Sequence, residues 1–217
     1  MLLAIDTATN RAGVALRDAG GPRASIQWRT ERNHTVELLP NIVTLLAQAG
    51  VTVSRLQAVA VAIGPGSYTG LRIGLSVAKG FCLAQGTALL GVPTLDISAL
   101  AVPPADHRLC AVLQAGRGRL SAAFYRPAAG GWQATGGIWL GRANELADAC
   151  ADQPTFFAGE IEPADEQVLR ERLGALAAFA PPSARARDPQ VLARIAWERW
   201  QRGQTDQAAA LVPNYGP

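Results

Sequence analysis

Between residues 64 and 80 the chain reads GPGSYTGLRIGLSVAKG, five glycines and a proline around a hydroxyl-bearing Ser-Tyr-Thr. Glycines at this density can cradle a phosphate on backbone amides, and a serine among them can act as a nucleophile. Neither spacing is met. A P-loop keeps four residues between its glycines and continues Gly-Lys-Ser/Thr, whereas three residues separate Gly66 from Gly70 and Leu71-Arg72 follow. The dinucleotide pattern G-x-G-x-x-G places Thr69 where its last glycine belongs, and the hydrolase elbow G-x-S-x-G fails at the same residue. A third use remains: Gly70, Gly74 and Ala78 stand four apart and form one flat stripe on a helix, flanked by Leu71, Ile73, Val77 and Phe81. Each interior glycine costs about 0.5 to 1 kcal/mol of helix stability, so close approach of a second backbone should compensate. That backbone belongs either to this chain's own sheet or helices or to another subunit.

Elements that must position these residues follow from periodicity. Apolar runs at 2–5, 12–17 and 23–28, separated by DTATNR and DAGGP, predict three strands joined as two hairpins. Helical spacing runs from Thr35 to Ala49 and Gly50 ends it; a strand at 56–63, the glycine-marked helix at 69–85, a strand at 88–92 and a helix from Thr94 to about Val102 follow. VPPAD (102–106) reads as a linker. Strands are then expected at 108–115, 119–126 and 132–140, a helix over 143–150, a strand at 155–159, and helices over 164–173 and 188–202. The order is similar in both halves, which predicts a duplicated α/β fold with lobes 1–104 and 105–217, the final helix and tail in the second, and a cleft between them.

Composition narrows the classes. Among 217 residues, 49% are hydrophobic, enough for a sizeable core. No segment approaches about 18 uncharged apolar residues and MLLAIDT carries no basic leader region, so neither a membrane span nor a signal peptide is expected, which points to the cytoplasm. Cys82, Cys110 and Cys150 sit apart in apolar runs, as buried reduced thiols do. The net charge is +3, but acidic and basic residues are interspersed, unlike the dense basic face of a nucleic-acid binder. Arg117, Arg119 and Arg126 make at most a weak patch.

AIDTATNRAGVAL, NHTVELLPNI and above all AIGPGSYTGLRIGLSVAKGFCLA resemble the TsaB family of bacterial tRNA threonylcarbamoyladenosine synthesis, strongly over residues 1 to about 100 and in layout beyond. The resemblance implies an actin-like, two-lobed (ribonuclease H-like, ASKHA) fold and a non-catalytic scaffold that binds and activates a TsaD-like catalytic subunit, working with a TsaE-like ATPase and meeting tRNA only indirectly. It also implies which elements to test for nucleotide and metal. Actin-like ATPases hold phosphate on two hairpins, each usually with an Asp. The first is present as Asp6-Thr7, read equally as a vestigial phosphate loop or as a residue capping its own turn. Gln114 stands in the second, a neutral amide ill suited to Mg²⁺, and the adenosine loop shrinks to AGE at 158–160. The isolated chain is therefore expected to hold no cofactor, with ATP and Mg²⁺ entering only within the complex. TsaD-like proteins bind metal through two histidines four apart; here His34 is followed by Leu38, and Glu37 is the one nearby alternative ligand.

The implied partner surface is the helix pair at about 35–49 and 69–85, with His34, Leu38, Leu39, Ile42, Tyr68, Gly70, Leu71, Ile73, Gly74, Val77, Ala78 and Phe81. A flat apolar stripe exposed on a lone subunit also predicts a two-fold homodimer in the absence of the partner. The alternative function is an ATP-dependent phosphotransferase or a metallopeptidase-like hydrolase using the cleft. The tail LVPNYGP resembles the family's Pro-x-Tyr ending without its usual following arginine.

Overall fold

A computed structural model describes residues 1–30, 33–129 and 131–217, divided into two compact units: Met1–Thr94 with Asp188–Tyr215, and Leu95–Arg187 with Gly216–Pro217. In the first unit β1 (Leu2–Asp6), β2 (Arg11–Asp18) and β3 (Gly21–Arg29) form an antiparallel meander, and β4 (Ala58–Gly64) and β5 (Ala88–Pro93) add parallel strands on the other side of β1. The strand order is 3-2-1-4-5. Parallel strands need a crossover, and helices α1 (His34–Gln48) and α2 (Tyr68–Gln85) supply them.

Alternation along β1 assigns the two faces. Leu3 and Ile5, with Val14, Leu16, Val59 and Val61, form a core with Leu38, Ile42 and Leu45 of α1 and Leu75 of α2. The opposite face carries small residues in cross-strand register, Ala15, Ala4 and Ala60, which lets a helix approach closely. That helix is α6 (Pro189–Gln201), whose Leu192, Ala193 and Ala196 are buried; a methyl on Gly13 would lie 2.9 Å from the Pro189 ring. Asp188 caps α6 by accepting from Gln190 N–H at 2.8 Å.

This placement moves the lobe boundary. The helix over 188–202, expected in the second lobe, packs on the first sheet, and the unit boundary lies at Thr94/Leu95 rather than 104/105. Amphipathic spacing identifies a helix's apolar face and not the sheet that receives it.

The second unit repeats the plan. β6 (Arg108–Gln114) and β7 (Leu120–Ala128) are antiparallel; β10 (Thr155–Gly159) and β11 (Ala177–Phe179) continue in parallel from β6. The expected strand 132–140 is two strands, β8 (Gly131–Ala134) and β9 (Trp139–Gly141), pairing with different parts of β7. Gly136-Gly137 breaks the run. The order 11-10-6-7-8 reproduces that of the first sheet, so the fold is the duplicated actin-like, ribonuclease H-like one. α4 (Ala143–Cys150) and α5 (Pro163–Leu173) cover one face over Cys110, Val112, Leu120 and Ala122, and α3 (Thr94–Leu100) contributes Leu95 and Ala99 to the other. Among the described residues no helix is long and apolar enough to cross a membrane.

Candidate functional site

The glycine-rich turn between β4 and α2 is fastened to the β1–β2 turn of the same unit. Ser67 N–H donates to Ala8 O at 2.7 Å, and the Ser67 hydroxyl accepts from Gly70 N–H at 3.2 Å, capping α2. Thr7 Oγ1 donates to Gly70 O at 2.7 Å. A methyl on Gly70 would clash with Thr7 O, one on Gly74 with Thr7 Oγ1, and one on Gly66 with Ala8 O. The small-residue stripe therefore admits this chain's own hairpin turn, the first of the two uses open to it.

That finding corrects the expected partner surface. Gly70, Leu71, Gly74 and Ala78 of α2 are buried, as are His34, Leu38 and Ile42 of α1, because these faces pack on β1, β2 and β4. Burial lowers the His34 pKa, only partly offset by the charges of Glu37 and Asp6, and its Nδ1 has no hydrogen-bond partner among the described residues. Glu37 is engaged elsewhere, accepting from Trp28 Nε1 at 3.0 Å.

A different face of the same two helices is open. Leu39 and Tyr68 are 50% and 57% exposed, and Ile73 and Val77 lie half-buried between the helices. Thr35, Leu39, Tyr68, Arg72, Ser76 and Val77 are among the residues lining a groove of about 440 Å³. Val36, Val43 and Leu83 extend the apolar surface at 68%, 65% and 84% exposure. On α1 the sequence reading missed Val36 and Val43 because the helix carries two apolar stripes: Leu38, Ile42 and Leu45 face inward, while Val36, Leu39 and Val43 repeat at helical spacing on the outside. Phe81 instead packs half-buried against the core.

The elements compared with nucleotide-binding hairpins are turned inward. Asp6 is buried and its Oδ1 accepts from Ala8 N–H at 3.0 Å, capping its own turn. Gln114 Nε2 donates to Asp165 Oδ2 at 2.8 Å, in the first turn of α5. At the shortened AGE loop Gly159 has φ +97° and abuts Val112 O, which also accepts Glu160 N–H at 2.9 Å. Any side chain at 159 would meet that carbonyl. Among the described residues no three His, Cys, Asp or Glu side chains gather as metal ligands.

The family described as TsaD, tRNA N6-adenosine threonylcarbamoyltransferase, matches residues 28–148. The Escherichia coli tRNA threonylcarbamoyladenosine biosynthesis protein TsaB is 34% identical over 66% of this chain, which spans 60% of that relative's length. Its Bacillus subtilis counterpart is 26% identical over 99% of the chain and 93% of its own length. Among solved structures, a Pseudomonas aeruginosa protein described as similar to peptidase YeaZ superposes with a TM-score of 0.83 at 28% identity, covering 100% of this chain and 99% of that one.

Proposed function

The chain belongs to the TsaD family of tRNA N6-adenosine threonylcarbamoyltransferases and, within it, to the TsaB branch, and from that membership we propose that it is a non-catalytic subunit of tRNA threonylcarbamoyladenosine synthesis that docks on a TsaD-like catalytic subunit. The observation that carries this reading is the open apolar face of α1 and α2, with Val36, Leu39, Val43 and Leu83 at least half exposed around a ready-made groove. Large exposed apolar side chains in contiguous array mark interfaces, since isolated subunits otherwise leave them in water. A relative that shares the fold can offer the same helix pair in return, and a second copy of this chain occupies the face when the partner is absent. Nucleotide and Mg²⁺ belong to the assembled complex and its TsaE-like ATPase, and tRNA reaches this chain only through the catalytic partner. The Gln114–Asp165 hydrogen bond and the closed Gly159 loop support the first point.

Co-purification with the host's TsaD-like subunit, followed by reconstitution of tRNA modification with and without this chain, tests the proposal. Leu39→Glu is the decisive variant. At a half-exposed position it should change folding stability by about 0.5 kcal/mol or less, yet weaken partner binding at least tenfold by placing a charge in the contact. Undiminished binding by Leu39→Glu together with Val43→Asp would place the partner on another surface.

A further inference from the structure

After α6 the chain does not wander off but straps the first unit along its edge strand. Asp206 N–H donates to Leu89 O at 2.8 Å and Asp206 Oδ2 accepts from Gly91 N–H at 2.8 Å, so one residue satisfies two edge groups of β5. Arg199 holds the strap by donating to Gly91 O at 2.6 Å and pairing with Asp206 at 3.2 Å. Leu211 packs over Gly91, where a side chain would meet it at 2.8 Å. Asn214 N–H then donates to Ile63 O at 2.6 Å, at the turn leading into α2. This path ends with the Tyr215 ring stacked on that of Tyr68, centroids 4.8 Å apart and planes 29° inclined. On the same helix, one turn on, Arg72 donates to the Tyr68 hydroxyl and lies 5.2 Å from its ring centre.

Tyr68 and Arg72 line the open groove, and both are exposed, as is Tyr215. A guanidinium has five N–H donors, and among the described residues none of those on Arg72 meets a carboxylate. The Tyr68 ring and hydroxyl hold it in place, and Tyr68 is in turn stacked on Tyr215. Fixing a long side chain before binding removes the rotamer entropy that contact would otherwise cost.

Taking the docking reading as given, we propose that Arg72, braced by the Tyr68–Tyr215 stack, is the polar anchor of the α1–α2 face and receives a carboxylate of the TsaD-like partner, with the C-terminal strap as its positioning element. The docking face is thus made from three segments, two helices and the tail, and the tail serves recognition as well as covering a sheet edge.

The test measures binding of the host's purified TsaD-like subunit by calorimetry at two or more salt concentrations. Arg72→Ala should weaken binding about tenfold or more and flatten its salt dependence, because a charge-assisted pair is lost. Arg72→Lys should recover the salt dependence but only part of the affinity, since a point charge cannot replace the planar fork. Tyr215→Ala should weaken binding severalfold while circular dichroism and the urea midpoint stay near wild type, as both residues are only about half buried. A chain ending at Leu211 should match Tyr215→Ala in binding. Normal affinity of Arg72→Ala and Tyr215→Ala, with Leu39→Glu still defective, would overturn the anchor and leave the docking reading standing. Absence of binding by the wild type would overturn both. Loss of self-association alone, with partner binding intact, would also refute the anchor.

Discussion

Gly74→Ala separates two forces that act in opposite directions at one buried position. Helix propensity favours alanine over glycine in a helix interior by about 1 kcal/mol. On that ground alone the substitution stabilises α2. Tertiary geometry opposes it: the new methyl would sit in ordinary contact with Val61 Cγ2 at 3.5 Å and Ile5 Cγ2 at 3.6 Å but roughly 1 Å too close to Thr7 Oγ1. Thr7 is fully buried in a hairpin turn. Relieving the clash displaces its hydroxyl from Gly70 O, now bonded at 2.7 Å. Overpacking costs about 1 to 3 kcal/mol and a buried hydrogen bond whose partners are stranded about 1 to 3 more. Net destabilisation of about 1 to 5 kcal/mol is expected, read from urea unfolding followed by circular dichroism at constant m-value. Thr7→Ala, which removes the obstructing oxygen, makes the cause visible. The double variant should recover at least about 1 kcal/mol relative to the sum of the single changes. A stabilised Gly74→Ala, or additivity within about 0.5 kcal/mol, would show that the stripe does not seat the hairpin and would return it to the surface.

Two further expectations concern charge and ligand. Glu166 accepts hydrogen bonds from Arg185 and from Arg170, and these hold its carboxyl below the ordinary value near 4.5. Its contribution to stability is therefore present above that ordinary value and is lost as pH falls through the lowered one; Glu166→Gln should flatten the acid limb of the urea midpoint against pH, and an unchanged limb would refute the pairing. Calorimetry of the isolated chain with ATP and Mg²⁺ should show no site tighter than about 10 μM, worth about 7 kcal/mol, because Gln114 is committed to Asp165 and the 158–160 loop is closed on β6. A tighter site would reinstate a nucleotide-handling role for this chain alone.

Much of the architecture is local and therefore legible in the residues. Alternating or continuous apolar runs between turn formers place β1 to β7 and β10 within a few residues, and glycines at 50 and 86 mark where α1 and α2 stop. The block around Gly66 to Phe81 carries the resemblance, and its small residues answer to the close approach of α2 to the Thr7–Ala8 turn in this chain. Short β11 left no such trace: three residues of Ala-Ala-Phe become a strand only because β10 offers an unpaired edge.

What stands opposite a given residue is a property of the assembled sheets. Four-residue spacing of Gly70, Gly74 and Ala78 is equally suited to a foreign helix and to the Thr7–Ala8 turn; the crossover from β4 to α2, which lays α2 across β1 and β4, decides for the turn. Apolar spacing on α1 marks Leu38 and Leu39 alike, and packing against β2 and β3 puts one in the core and the other in solvent. Likewise α6 has one apolar stripe, and the alanine layer of the first sheet, small enough for close helix packing, determines where it docks. The sequence alone thus determined most of the elements, the duplicated order and the family; only the tertiary structure decided which faces were left exposed, since burial depends on neighbours distant in the chain, as Tyr215 on Tyr68 illustrates.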